Sequence, residues 1–336
     1  MNDLKRRSLK DTVSLAARNS TFVIGCVLIL MIIVASVFSP YFLDPFNLQS
    51  LMRDLAFVGM VAVAQAMLLL IGELDLSVGT MASLAGILGG LLMTKGGVNP
   101  YIAFIIGVLL GGLFGLINGL IVTRLRLNSM VTTIGMTGVY GGITLVITKG
   151  RAITKIPEAI TGVGKGNFLG IPIPFYIGVI VMVLLTLFVR KTKTGRYIYA
   201  IGNSRTTAEM LGIKVDNIRV LCFTIVGFVS ALAGMLYVAR LGSAQASIGS
   251  EWPMNSIAAS VIGGVALSGG IGNPIGSFIG AAIISIIGNM IVLFGVNIYW
   301  QQAVSGIVVV VAIALPSLLS IMRERKRIKL LAKEQK

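Results

Sequence analysis

Residues 62–93 read AVAQAMLLLIGELDLSVGTMASLAGILGGLLM, apolar sequence interrupted by two carboxylates, Glu73 and Asp75. No charged residue occurs from 62 to 72 or from 76 to 93. Runs of this length and character suit membrane-spanning helices. The stretch therefore reads as two spans joined at a short polar junction. A bare carboxylate at the bilayer centre costs roughly 2.5 kcal/mol or more, so the acids are expected at the cytoplasmic end of the pair, within reach of water. Asp75 directly precedes LSVGTMASLAG, where a carboxylate can cap free N–H groups and meet the positive end of the helix dipole. A structural cap and a functional contact are equally good readings of Asp75. Glu73 has no comparable job, and no basic residue lies near it in the sequence. Gly72, Asp75, Ser77 and Gly79 are the junction residues of interest.

The rest of the chain has the same character. Of 336 residues 56% are hydrophobic and 12% charged, with a mean hydropathy of +0.94. A soluble domain carries about twice that charged fraction. Apolar segments recur near 20–38, 54–71, 76–94, 101–123, 129–148, 172–190, 218–240, 256–272, 274–293 and 300–320. The fold expected is an all-α polytopic membrane protein of about ten transmembrane helices. The 256–272 segment ends in SGGIGNP and is expected to be short or broken. Residues 1–19 form a polar, basic N-terminal segment, 20–320 the membrane domain and 321–336 a basic tail. The first apolar run is longer than a signal-peptide core and reads as a retained span.

The net charge of +16 has a membrane explanation, because Lys and Arg accumulate on cytoplasmic loops. With ten spans and a cytoplasmic N-terminus, 21 of the 28 Lys and Arg fall inside: five in 1–19, Arg124 and Arg126, seven from 190 to 219, and seven after 320. Both termini are therefore expected in the cytoplasm. Nucleic-acid binding has no compact basic domain to carry it. The tail reads as an anchor near anionic lipid.

Several chemistries are excluded. There is no histidine, so no His-based metal site or His acid–base catalysis. Cys26 and Cys222 lie in apolar runs, and no disulfide framework is expected. No phosphate-binding G-x-x-x-x-G-K-[ST] motif occurs, so the chain is not its own ATPase. No carboxylate pair is arranged for hydrolysis, and no catalytic residue is expected.

Two patterns concern helix packing. Gly107, Gly111, Gly115 and Gly119 line one helix face and let a neighbouring backbone approach closely. Ordinary membrane packing is the simpler reading, a tight crossing beside a pathway the other. A repeat is also visible: Ser77-Val-Gly-Thr80 returns as Ser247-Ile-Gly-Ser250. At an offset of 169, Gly107, Gly111, Gly119 and Asn128 match Gly276, Gly280, Gly288 and Asn297. In the ten-span arrangement the first tetrapeptide begins inside and the second outside, as an inverted-topology repeat requires.

The largest cytoplasmic loop, about 190–217, contains RYIYAIGNSRTTAEMLGI. Ser204 can cap a short helix from Arg205 to about Leu211, with Gly212 ending it. Ala208, Met210 and Leu211 give that helix an apolar side. Docking to a soluble partner and lying on lipid headgroups both fit.

Together these motifs resemble the membrane-spanning permease of bacterial ABC importers for ribose, galactose, xylose and related sugars, over nearly the whole chain. GELDLSVG is similar to that family's G-G-x-D-L-S-V-G, and the loop to its R-x-x-x-A-x-G-x-N-x-x-A-A-x-x-x-G-I. The chain departs from the pattern at Glu73, at Thr206-Thr207-Ala208 and in GIGNPIG. The resemblance implies a non-catalytic subunit working by alternating access in the bacterial inner membrane, driven by ATP hydrolysis in a separate chain that binds the ATP and Mg. It implies three partners: a second permease, copy or paralogue; a cytoplasmic ATP-binding subunit; and an extracytoplasmic sugar-binding protein. It makes Ser204, Arg205, Thr206, Thr207, Ala208, Glu209, Met210, Leu211 and Gly212 the coupling segment. A neutral sugar needs hydroxyl and amide partners, so Asn118, Asn128, Thr132, Thr133, Gln245, Asn255 and Asn289 are candidates for the pathway. A permease for branched-chain amino acids or nucleosides, or an ion-coupled carrier, is the alternative.

Overall fold

In the computed structural model the described residues are 20–297, with scattered positions up to 314. They form twelve helices and one two-residue hairpin: α1 (Ser20–Phe38), α2 (Pro45–Leu70), α3 (Val78–Thr94), α4 (Pro100–Arg124), α5 (Ser129–Thr148), α6 (Glu158–Lys165), β1 (Asn167–Phe168), β2 (Ile171–Pro172), α7 (Ile173–Lys191), α8 (Lys193–Asn203), α9 (Arg205–Met210), α10 (Val215–Leu241), α11 (Trp252–Ile262) and α12 (Pro274–Leu293). The expected termini, 1–19 and 321–336, lie outside these residues, as does most of the expected span 300–320.

Helix starts follow local chemistry. Asp44, Asn99 and Asn273 each accept an N–H of the first turn, and each precedes a proline at the first helical position. Proline lacks the N–H that would otherwise be left over there. Asn128 and Thr192 cap α5 and α8 in the same way.

Seven of these helices are long and apolar enough to cross a membrane. Large apolar side chains such as Ile29, Leu30, Leu109, Val146 and Leu184 face outward from them, which suits lipid contact. The chain is an all-α polytopic membrane protein. Two expected spans come out shorter. The 76–94 segment yields α3, with 17 residues. The 256–272 segment yields α11, with 11 residues, followed by turns. The 54–71 segment starts earlier than expected, at Pro45, because Asp44 caps a helix there and Asn47, Gln49, Ser50, Arg53 and Asp54 keep its opening turns out of the apolar run. The loop helix ends at Met210; α6 and α8 are short amphipathic helices, with Ile160 and Val163 on one and Ile198 and Ile201 on the other at helical spacing, that lie outside the long apolar runs, as does β1 of the hairpin.

The centre is α2, buried continuously from Gly59 to Leu70. It packs against α10, which runs antiparallel to it. The packing around this pair is reciprocal: α3 and α4 lie on each other and on α10, while α11 and α12 lie on each other and on α2. The α4–α10 contact is made through glycines. A Cβ on Gly111 would overlap Ala231, one on Gly115 would overlap the Phe223 carbonyl, and one on Gly119 would sit 2.9 Å from the Val220 Cα. Gly107 meets Met235 on the same seam.

Candidate functional site

Three regions gather the polar chemistry that bears on function. The first is the junction between α2 and α3. Gly72, at φ +77°, ends α2: its N–H reaches the Leu69 carbonyl, and the Glu73 N–H reaches that of Leu68. This is the paired closure a left-handed glycine permits. The chain then turns inward, and Asp75 is wholly buried. The expected water-exposed acid is thus corrected, and so is its capping role. Asp75 Oδ1 accepts the Ser77 N–H at 2.7 Å and the Ser77 hydroxyl at 2.6 Å, while Ser77 occupies the cap position of α3 without a side-chain cap bond. Asp75 Oδ2 accepts from Asn118 Nδ2 at 3.0 Å, and Asn118 Oδ1 accepts the Tyr140 hydroxyl at 3.0 Å. Burial pushes the Asp75 carboxyl above the usual carboxylate range, and the hydrogen bonds from Ser77 and Asn118 oppose that rise. Leu76 is held from both sides: its N–H donates to Thr133 Oγ1, and its carbonyl accepts from Thr137. Asn118 and Thr133, expected along a pathway, instead bind the junction backbone and its acid.

The second region explains Glu73. Its Oε1 accepts from Nε and Nη2 of Arg219, 146 residues away in sequence. These side chains are 13% and 6% exposed. Burial raises the Glu73 carboxyl and the guanidinium beside it pulls it back. Arg219 Nη1 also lies 3.4 Å from Asp216, Asp216 lies 3.5 Å from Arg205, and Arg205 Nε lies 3.0 Å from Glu209. The result is a row of alternating charges from the junction to α9. Ser204 accepts the Thr207 N–H at the start of that helix, and Gly212 follows its end at φ +75°. Ala208 faces inward, whereas Met210 is 88% exposed and Leu211 73%. Thr206 and Thr207 lie within hydrogen-bonding distance of the Ser204 hydroxyl.

The third region is a cavity of about 780 Å³ at the opposite end of α2 and α10. Its wall includes the rings of Phe57, Tyr237 and Trp252, with centroids 5.0 to 6.4 Å apart. Its polar groups include Asn47, Asp54, Gln245, Glu251, Asn255 and Asn289. Asn47 and Asn289 exchange amide hydrogen bonds at 3.1 and 2.7 Å. Arg240 pairs with Asp54 and lies 5.8 Å from the Phe57 ring centroid, so its charge is already engaged. Three of the seven pathway candidates line this cavity: Gln245, Asn255 and Asn289. Asn128 caps α5 and Thr132 bonds back to the Asn128 carbonyl, both away from it. Tyr237, Trp252 and Arg219 carried no motif. Arg219 was the readable signal among them, because an arginine near the start of an apolar helix needs an acid when buried.

The junction and the cavity meet. Ser247, Ile248, Gly249 and Ser250 line the cavity, and Gly249 packs on Gly79: a Cβ on Gly79 would overlap the Gly249 carbonyl. The two copies of the repeated tetrapeptide therefore touch.

Among the described residues no group of His, Cys, Asp and Glu could hold a metal ion. In comparisons with known proteins, residues 47–313 match the family described as branched-chain amino acid transport system / permease component. The chain is 38% identical over 291 residues to the ribose import permease protein RbsC of Bacillus subtilis, covering 86% of this chain and 90% of that one. It is 31% identical to the L-arabinose ABC transporter permease protein AraH of Azospirillum brasilense, covering 86% of each. It is 33% identical to the D-allose transport system permease protein AlsC of Escherichia coli, covering 88% of this chain and 92% of that one. No solved structure matches the chain.

Proposed function

The chain belongs to the branched-chain amino acid transport system / permease component family, and from that premise we propose that it is the membrane-spanning subunit of a binding-protein-dependent ABC importer for a monosaccharide. The observation that carries this reading is the kinship with ribose, arabinose and allose permeases over 86–88% of the chain. The cavity agrees with the substrate class. Aromatic faces suit the C–H side of a sugar ring, and amides, hydroxyls and carboxylates suit its hydroxyl groups. Its volume lies within the range of small-molecule sites. We place Gln245, Asn255, Asn289, Tyr237 and Trp252 along the pathway.

ATP hydrolysis belongs, on this reading, to a partner chain docking on α9, where Met210 and Leu211 stand exposed beside the capped start at Ser204. The excess of Lys and Arg expected on that side supports a cytoplasmic position for it and for both termini. The cavity then opens outward in one state, toward a sugar-binding protein. A second permease, copy or paralogue, completes the core in the bacterial inner membrane. The reciprocal packing of α3 and α4 on α10, and of α11 and α12 on α2, supports an inverted repeat about the Gly79–Gly249 contact. The remainder of 300–320 would supply the tenth span.

The family description favours a second reading, transport of a branched-chain amino acid. It is the weaker one, because the acidic cavity offers an amino-acid carboxylate no disengaged cation among its described lining residues. Uptake of labelled pentoses, hexoses and leucine into membrane vesicles separates the readings. The expected result is ATP-dependent, vanadate-sensitive sugar uptake. Vanadate-resistant uptake abolished by ionophores would identify an ion-coupled carrier instead.

A further inference from the structure

The seven residues from Glu73 to Gly79 touch both functional ends of the molecule. At one end Glu73 joins Arg219, and through Asp216 and Arg205 the row of charges reaches Glu209 on α9. At the other end Gly79 lies against the Gly249 carbonyl, in the segment that lines the cavity. Between them little slack remains. Asp75 is fixed by Ser77 and Asn118, and Leu76 by Thr133 and Thr137. The Gln65 amide, itself wholly buried, donates to the Asp75 carbonyl. The segment is thus anchored along its length and gripped at both ends.

We propose that Glu73–Gly79 is the strap that transmits the position of α9 to the cavity, with the Glu73–Arg219 ion pair as its input and the Gly79–Gly249 backbone contact as its output. The proposal rests on the importer reading above and adds the internal link that reading lacks. A displacement of α9 pulls on Arg205 and Asp216 and reorients Arg219. Glu73 follows, because separating a buried ion pair leaves an uncompensated charge. Since the strap cannot stretch, its far end moves Gly249 and the residues beside it. The glycines at the contact leave no side chain to absorb that movement. Glu73 is a positioning residue in this scheme, and it touches no substrate.

The test uses the full chain assembled with its ATP-binding subunit in membrane vesicles. Exposed Cys26 is replaced by Ser, and Ser250→Cys is introduced as a reporter on the cavity wall. Buried Cys222 stays silent. The labelling rate of the reporter by a membrane-impermeant maleimide is compared without nucleotide and after trapping with ATP and vanadate. The chain with Glu73 intact is expected to change its rate about fivefold or more, the usual range of a coupling between sites. Glu73→Gln is expected to abolish most of that change, and, because it leaves the buried Arg219 charge with only the exposed Asp216 beside it, also to lower the thermal midpoint, which the exchanged pair should recover. Glu73→Asp should retain part of it. The exchange Glu73→Arg with Arg219→Glu should restore it.

A nucleotide-dependent rate that survives undiminished in Glu73→Gln overturns the strap. So does a loss that the exchanged pair fails to restore, since that marks a purely structural role. If Glu73→Gln does not assemble, the exchanged pair alone decides by the same criterion. A parent chain indifferent to nucleotide at Ser250 also overturns the strap, whereas the absence of ATP-dependent, vanadate-sensitive uptake by the same vesicles sinks the importer reading itself, which keeps the two failures distinct.

Discussion

Asp75 shows how a single acid can be satisfied without a basic partner. Three donor bonds, two from Ser77 and one from Asn118 on a neighbouring helix, share its charge, and Tyr140 fixes Asn118 from behind. The geometry makes a graded prediction. In Asp75→Asn the new amide oxygen still accepts from Ser77. Asn118 can turn its amide over and donate to the Tyr140 oxygen, whose own hydrogen turns to the Phe114 carbonyl, 3.0 Å away. Thermal unfolding in detergent should show a loss of at most about 1 kcal/mol. Asp75→Leu leaves the Ser77 N–H and hydroxyl without their acceptor and Asn118 Nδ2 with only Ser77 Oγ, in a dry site, and should cost about 2–3 kcal/mol. Equal melting of both variants would show that the network holds nothing. At this scale the sequence was partly legible. The position of Asp75 before a helix is readable, because GELDLSVG places it there. Its depth is not, since hydropathy cannot distinguish a loop that reaches water from one that folds back among helices. Glu73 was illegible for a different reason. Its partner lies 146 residues away, and no local period links them.

Between helices, close approach decides what a substitution does. On α4, Gly111 and Gly112 are neighbours in sequence with opposite surroundings. A methyl group at 111 would overlap Ala231, whereas one at 112 would sit 3.7 Å from the Phe228 ring. Gly111→Ala is expected to destabilise by about 1–3 kcal/mol through overpacking. Gly112→Ala should stay within about 0.5 kcal/mol. Membrane yield and thermal midpoint measured on the pair would check this. The four-residue spacing of these glycines made the seam readable; which helix filled it was not. The loop helix α9 behaves similarly. Its start was readable at Ser204 because a hydroxyl before a helical turn has a specific job. Its connection to α10 through Arg205 and Asp216 required the fold. Ser204→Ala should cost about 1 kcal/mol locally. Replacing Arg205 and Glu209 together by Ala is expected to leave the chain in the membrane at normal levels while lowering sugar-stimulated ATP hydrolysis at least several-fold. Normal stimulation in that double variant would remove α9 from the coupling path.

Across the whole molecule, the apolar runs gave the class because the bilayer imposes its own length scale on every span. The two short helices escaped that rule, since segments packed inside protein need not match the bilayer. If the cavity at the far end receives the sugar, Trp252→Ala should raise the concentration for half-maximal uptake at least several-fold in vesicles, with little change in membrane level; an unchanged value would move the site elsewhere. The short helix that Trp252 begins also bears on how the chain is made. Eleven residues of α11 cover about 17 Å, roughly half the hydrocarbon thickness. Such a segment is too short to enter lipid on its own hydropathy, and the turns that follow it must bury their polar backbone against protein. Its neighbours are α2, synthesised some two hundred residues earlier, and α12, synthesised directly after it. Burial of α11 therefore waits for α2 and α12 to be standing in the membrane. A helix the bilayer alone would not hold is thus placed by two that it does hold.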